Sequence, residues 1–134
     1  MSAELKEIAG LNSSSLAIKF MDEVTNETSI STALYRDIKL CFYEIISNNQ
    51  KHSNCQNFCI KIVEEKNNLI IHTLDDGKLT SIDALNSPRN GIRNIKKRVQ
   101  RNKGEMNYSI NKIKGHGLEL ILKFPLSWKK QKLL

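Results

Sequence analysis

Three short groupings in this sequence carry residue types suited to holding a charged ligand. Glu44, Asn48 and His52 follow one another at four-residue spacing, which on an α-helix stacks a carboxylate, an amide and an imidazole along one ridge. Such a ridge could hold a hard cation such as magnesium and orient a water or hydroxyl beside it. Leu74-Asp75-Asp76-Gly77 sets an acidic pair and a glycine at the end of an apolar run. A carboxylate closing a buried strand needs a partner, because an unpaired buried charge is costly. A purine's exocyclic amine would serve, and the glycine lets backbone approach a flat ring closely. Lys114-Gly115-His116-Gly117, together with Gly91 at the head of a basic segment, could leave backbone N–H groups facing phosphate oxygens. Taken singly, each grouping has a plainer reading: a solvated helix edge, an Asp-Gly turn and a hairpin turn.

The elements that must position these groups follow from hydrophobic period. Leu16, Ile18 and Phe20 alternate with Ala17, Lys19 and Met21, the two-residue period of a strand, and the chain turns polar from Asp22 to Thr28. From Ser31 to His52 the period changes: Leu34, Ile38, Cys41, Phe42 and Ile45 make one apolar stripe on a long helix, with Ser31 or Thr32 as its cap. Phe58, Ile60 and Ile62 alternate again, and Leu69 to Leu74 is nearly all apolar or β-branched. These read as a hairpin turning through EEKNN, its second strand buried on both faces. DDGKLTSIDALNSPRNG reads as loop with one helical turn. Ile92, Ile95 and Val99 put an apolar edge on a basic helix from Gly91 to Asn102, which Gly104 is expected to end. Met106, Tyr108 and Ile110, then Leu118, Leu120, Leu122 and Phe124, give two closing strands.

Strands that come in pairs between helices predict an α/β (α+β) two-layer sandwich: a mixed, mostly antiparallel sheet with helices packed on one face. The regular βαβ alternation of a doubly wound nucleotide fold is missing. A chain of 134 residues and 15.3 kDa holds one domain, expected over residues 15–126, with an N-terminal connection over 1–14 and a basic tail over 127–134. No apolar run approaches the ~20 residues that span a bilayer, and MSAELKEIAG has no secretory pattern, so a cytoplasmic location is expected, alone or as part of a membrane-anchored sensor. Cys41, Cys55 and Cys59 form no CxxC pair or zinc cluster and read as reduced thiols.

The net charge of +7 is uneven. Residues 1–67 hold 7 Lys/Arg against 9 Asp/Glu, and residues 68–134 hold 14 against 5. Arg89, Arg93, Lys96, Lys97, Arg98, Arg101 and Lys103 lie in one stretch without an acid. Such a stretch suits a nucleotide's phosphates, an acidic protein, nucleic acid, or merely a solvated helix face.

Taken together and in order, EIISNNQKHS, TLDDG, NGIRNIKKRV and GHGLELILKFPL resemble the ATP-binding domain of sensor histidine kinases, the Bergerat-type (GHKL) ATPase family shared with gyrase, the ninety-kilodalton heat-shock chaperone and MutL. Glu44, Asn48, Lys51 and His52 match the family's E-x-x-x-N-x-x-K-H box. Asp75 and Gly77 match D-x-G-x-G, with Leu79 in place of the second glycine. Gly91, Ile92, Ile95, Arg98 and Val99 follow G-[LI]-x-x-[IM]-x-x-R-[VL], the pattern of the nitrate-sensing and lipid-fluidity-sensing branch, after a lid of only 13 residues between Gly77 and Gly91. Gly115, Gly117 and Pro125 fit the closing motif.

The resemblance implies a cofactor pair, ATP and Mg2+, and a role for each matching position. Asp75 would accept from the adenine amine, and Gly77 would let the ring approach. Asn48 would bind the magnesium, and Glu44 would help organise that ion or the attacking group. Lys51 and His52 would sit near the phosphates, while Gly91, Gly115 and Gly117 would shape the phosphate end and the lid. The implied activity is phosphoryl transfer from ATP to a His on a separate dimerisation domain, with a response regulator downstream and no nucleic acid expected. His52, His72 and His116 do not suit the phosphoacceptor role, so the chain is expected to be the catalytic domain of a larger sensor. Two alternatives remain: a stand-alone anti-sigma-factor-like serine kinase, and a degenerate ATPase-fold module docking an acidic partner.

Overall fold

The computed structural model describes residues 17–23, 30–48, 56–86 and 91–126. Within them run β1 (Ala17–Glu23), α1 (Thr32–Asn48), β2 (Asn57–Glu65), β3 (Asn68–Asp75), a 3-10 turn (Ile82–Asn86), α2 (Ile92–Arg101), β4 (Glu105–Ile110) and β5 (Leu118–Pro125). The element types and their order are those the hydrophobic periods predict. The connection expected over 1–14 and the tail over 127–134 lie outside the described residues, as does Cys55.

One sheet forms in the order β1-β2-β3-β5-β4. β1 pairs parallel to β2, and the other three pairings are antiparallel, so the sheet is mixed. Parallel neighbours need a crossover, and α1 supplies it. Phe58, Ile60 and Ile62 of β2, Leu69 and Ile71 of β3, and Leu120, Leu122 and Phe124 of β5 turn to one face. There they meet Leu34, Ile38, Phe42 and Ile45 from α1 and Ile92, Ile95 and Val99 from α2. Both helices therefore cover the same face, and each large side chain taken out of water contributes roughly 1.5–3 kcal/mol.

Several boundaries differ from the sequence expectation. β1 continues through Asp22 and Glu23, which pair with Ile62 and Val63. β2 runs on through Glu64 and Glu65, leaving only Lys66 and Asn67 in the turn, at φ 51° and 62°. Two residues at positive φ make the tight hairpin whose twist suits antiparallel strands, and the ladder, which is built from backbone, tolerates polar residues where the sheet end meets water. β3 is not buried on both faces. Leu69, Ile71, Thr73 and Asp75 are buried, while Ile70, His72 and Leu74 are half-buried, and His72 Nε2 lies 3.1 Å from Glu119 Oε2.

The end of α2 also corrects an expectation. Lys103, at φ 61°, takes the left-handed position; its N–H donates to Gln100 O at 3.0 Å and the Gly104 N–H to Val99 O at 2.9 Å, the paired bonds of a Schellman close. Gly104 is needed for room instead: a Cβ there would collide with the Lys123 carbonyl and lie 3.0 Å from Val99 Cγ1. Ser31 caps α1, its Oγ accepting from the Leu34 N–H at 3.2 Å.

α1 and α2 run antiparallel along a seam. At one end buried Asp37 accepts from Arg101 Nη2 at 2.6 Å and Nε at 3.2 Å, and from Asn102 Nδ2 at 2.8 Å. Burial works against the Asp37 charge, but these bonds and the nearby guanidinium charges prevail and hold its carboxyl below the usual value. In mid-seam Cys41 is fully buried, and burial pushes its thiol up to about 12. No helix of the described residues is long and apolar enough to cross a membrane.

Candidate functional site

The other end of the seam holds Glu44, Asn48 and Gly91. Glu44 and Asn48 sit on the last turns of α1, both half-buried. Gly91 caps α2 with ordinary helical φ of −69° and without a side-chain capping bond. A Cβ on Gly91 would run into the Glu44 carboxylate and lie 3.2 Å from Asn48 Nδ2. The glycine is there so that the start of a basic helix can close on an acid and an amide. Among the described residues, no group hydrogen-bonds to either side chain. Lys51 and His52, the rest of that box, lie outside the described residues.

Asp75 ends β3 on the covered face, opposite Phe58 of β2. Eight residues separate the end of α1 from the start of β2, and since Phe58 is the second residue of β2, Asp75 lies at the same end of the sheet as the β2 start that the α1 crossover feeds. Its Oδ1 accepts from the Gly77 N–H at 2.9 Å and the Leu118 N–H at 3.0 Å. Oδ2 receives no bond from the described residues. Burial raises the Asp75 pKa above 3.8, the Asp76 charge adds to it, and the two backbone bonds oppose it. A buried carboxylate with one oxygen saturated and the other left over is an acceptor for a ligand N–H.

The neighbouring acid does something different. Asp76 accepts from the Gln56 and Asn57 N–H groups at 2.9 and 3.0 Å and from Asn57 Nδ2 at 2.9 Å, fastening the start of β2. Its charge faces some desolvation, yet the bonds from Asn57 and Gln56 hold its pKa below the usual value. The acidic pair is thus divided: Asp76 engages both oxygens with the start of β2, and Asp75 engages only Oδ1 with the described residues.

A ladder of four bonds joins the segment 75–79 to the β4–β5 connection. Asn111 Nδ2 donates to Asp75 O at 2.8 Å, the Leu118 N–H to Asp75 Oδ1, His116 Nδ1 to Gly77 O at 2.8 Å, and the Gly117 N–H to Leu79 O at 2.7 Å. Leu79, where the family pattern has a second glycine, contributes its backbone carbonyl. Gly117 stands at φ 97°, and a Cβ on it would collide with the Asp75 carbonyl and lie 2.9 Å from Oδ1. Gly115, at φ 78°, faces open space, so its conformation alone demands glycine there. Of the predicted glycines, then, Gly91 and Gly117 press on the predicted acids, Gly77 donates to Asp75, and Gly115 shapes a turn.

The described residues hold no cluster of three His, Cys, Asp or Glu side chains able to cage a metal. Magnesium does not need one, since it commonly binds through one or two protein oxygens together with phosphates and water. The Asn48 amide and Glu44 carboxylate beside the Gly91 cradle, with no hydrogen bond to them from the described residues, fit that mode.

No protein-family model matches the chain, and no curated protein matches it in sequence. Solved structures do. The kinase domain of the blue-light-activated histidine kinase of Erythrobacter litoralis superposes with a TM-score of 0.79 at 19% identity, over 97% of this chain and 63% of that one. The chain has the histidine-kinase ATPase fold. The ATP-binding domain of PrrB from Mycobacterium tuberculosis shares that fold at TM-score 0.69 and 17% identity, over 91% and 88% of the two chains. The histidine kinase domain of the E. coli osmosensor EnvZ gives 0.68 and 16%, over 94% and 86%. The chain spans less than two-thirds of the Erythrobacter kinase domain and 43% of the longer form of that kinase. In this histidine-kinase ATPase fold β3 is the central strand of the sheet, and both helices lie on the face to which Asp75 turns.

Asn111 was missed by the sequence reading. It is buried, bonds to Asp75 O, and accepts from the Ile113 and Lys114 N–H groups on its Oδ1. The signal was there as an Asn four residues before Gly115 after an alternating strand, the pattern of a side-chain-closed turn.

Proposed function

We propose that this domain binds ATP with magnesium and is the catalytic domain of a two-component sensor histidine kinase, donating the γ-phosphoryl group to a His on a separate dimerisation domain. The observation that carries the reading is Asp75: a buried carboxylate at a strand end, one oxygen saturated by backbone and the other without a bond from the described residues, with Gly117 pressed against it. An adenine amine supplies the missing donor. Glu44, Asn48 and the start of α2 at Gly91 suit the phosphate end, where Arg93, Lys96 and Lys97 add exposed positive charge. Asn48, with Glu44 beside it, would hold the magnesium, whose chemistry is to neutralise phosphate charge as the phosphoryl group leaves. Lys51 and His52 belong to the same proposal as phosphate neighbours. The protein's own contribution is orientation: the base end held by Asp75, the triphosphate turned toward α2.

Titration with ATP, with and without magnesium, tests the first step: binding strengthened by magnesium is expected, and no binding overturns the reading and leaves a docking module. Labelled γ-phosphate followed onto a dimerisation domain tests the second. Transfer to a serine of an antagonist protein instead would favour the anti-sigma-factor-like kinase.

A further inference from the structure

Asn111 makes more hydrogen bonds than any neighbour needs for a simple turn. It is 3% exposed. Its Oδ1 accepts from the Ile113 N–H at 3.0 Å and the Lys114 N–H at 3.3 Å, its carbonyl from the Gly115 N–H at 2.8 Å, and its own N–H donates to Gly117 O at 2.8 Å. Those four bonds build the 111–117 turn. The fifth leaves the turn: Nδ2 donates to the backbone carbonyl of Asp75 at 2.8 Å, across 36 residues of chain. Gly117, which Asn111 holds, stands where a Cβ would strike that same carbonyl, and Leu118, next in the chain, donates to Asp75 Oδ1. Asn111 therefore grips the Asp75 peptide from one side and, by holding Gly117, sets the neighbouring Leu118 N–H that bonds the carboxylate from the other.

We propose that Asn111 is the positioning residue that aims Asp75 Oδ2 at the exocyclic amine of the base, and so sets the discrimination between a 6-amino and a 6-oxo purine nucleotide. The proposal rests on the ATP-binding reading above. With the Asp75 carbonyl clamped and Oδ1 saturated, the carboxylate has little freedom to rotate, and Oδ2 keeps one direction. An amino group there donates to it; a 6-oxo group turns an acceptor toward an acceptor, which a buried site penalises. Releasing the Asp75 peptide would let the carboxylate turn and blunt that contrast, while none of these Asn111 bonds reaches Glu44, Asn48 or Gly91.

The test uses the whole chain, with ATP and ITP as probes in the presence of magnesium, by calorimetric titration. Two variants are compared with the parent. Asn111→Asp keeps the acceptor for Ile113 and Lys114 and removes the donor to Asp75. Asn111→Ser keeps a short acceptor for the turn and cannot reach Asp75. The expected result is that the parent prefers ATP over ITP and that each variant loses roughly tenfold in ATP affinity, the worth of one buried hydrogen bond, with ITP affinity changed less than about twofold. Equal losses for both nucleotides, unchanged preference in folded variants, or failure of both variants to fold would assign Asn111 a purely structural role and overturn the proposal. A parent that binds neither nucleotide, or binds both alike, would instead reject the adenine reading itself.

Discussion

Gly117 is seated on Asp75 so closely that a single added carbon would collide with the aspartate's carbonyl oxygen. The carboxylate's surroundings are therefore set by backbone, from Gly77, Gly117 and Leu118, and its charge is held against the preference of a buried site. The proposed ligand role of Asp75 can therefore be tested apart from its part in the fold.

Asp75→Asn is expected to weaken ATP binding by about 10- to 100-fold, since the amide presents a donor or a weaker acceptor to the adenine amine. Its effect on stability should run the other way. Burial raises the Asp75 pKa above 3.8, so the folded state takes up a proton more readily than the unfolded chain and the ionised form is a burden on the fold at neutral pH. Thermal unfolding at pH 7 should show a Tm equal to or above that of the parent. By the same sign, ATP affinity should decline on acidification at a higher pH than an ordinary carboxylate would dictate, and a flat profile down to pH 4 would refute the assignment.

Gly91→Ala should move the Glu44 carboxylate, because the new methyl group meets the flexible end of that side chain and not backbone. The expected outcome is a loss of magnesium-dependent ATP affinity of roughly tenfold with adenosine binding unchanged, the pattern also expected for Asn48→Ala, since one charge-assisted contact is at stake. Parallel titrations with MgATP and with adenosine check it. Equal losses for both ligands would place Glu44 and Asn48 away from the phosphates.

The two closing glycines should not respond alike. Gly115→Ala meets only its own positive φ, a cost of about 1–2 kcal/mol, with open space around it. Gly117→Ala adds to that cost a collision with the Asp75 backbone, which cannot step aside as a side chain can, so a loss of about 3 kcal/mol or more is expected. Denaturant midpoints of the two variants give the comparison, and equal shifts would show that the Asp75 contact is loose in solution.

Asp37→Ala should destabilise the domain by about 1–3 kcal/mol, because Asn102 and Arg101 lose a shared buried acceptor. The Asp37 carboxyl is held below 3.8 by those bonds, so its contribution is present above the unfolded-state value and fades as pH falls through the folded one. Chemical denaturation of parent and variant should therefore converge below about pH 4 and stay apart at pH 7. A gap that persists in acid would assign the loss to packing.

Much of this domain was legible before any coordinates. Two- and 3.6-residue periods of apolar side chains determine the strands, the helices and the two-layer architecture, because each half-buried element must turn one face to the core, and Ile60, Ile62, Ile95 and Val99 do so. The same helical period puts Glu44 and Asn48 on one ridge of α1. Tertiary structure alone decided the rest. Asp75 and Asp76 are the same residue type side by side, and only the pleat, which turns one inward to Leu118 and leaves the other to Asn57, tells the buried acid from the one that fastens β2. Gly91 gains its meaning from Glu44 and Asn48 across the seam, and Asn111 from an aspartate 36 residues away. Local periodicity reports which side of an element is buried; it carries no information on which distant backbone atom comes to lie against it.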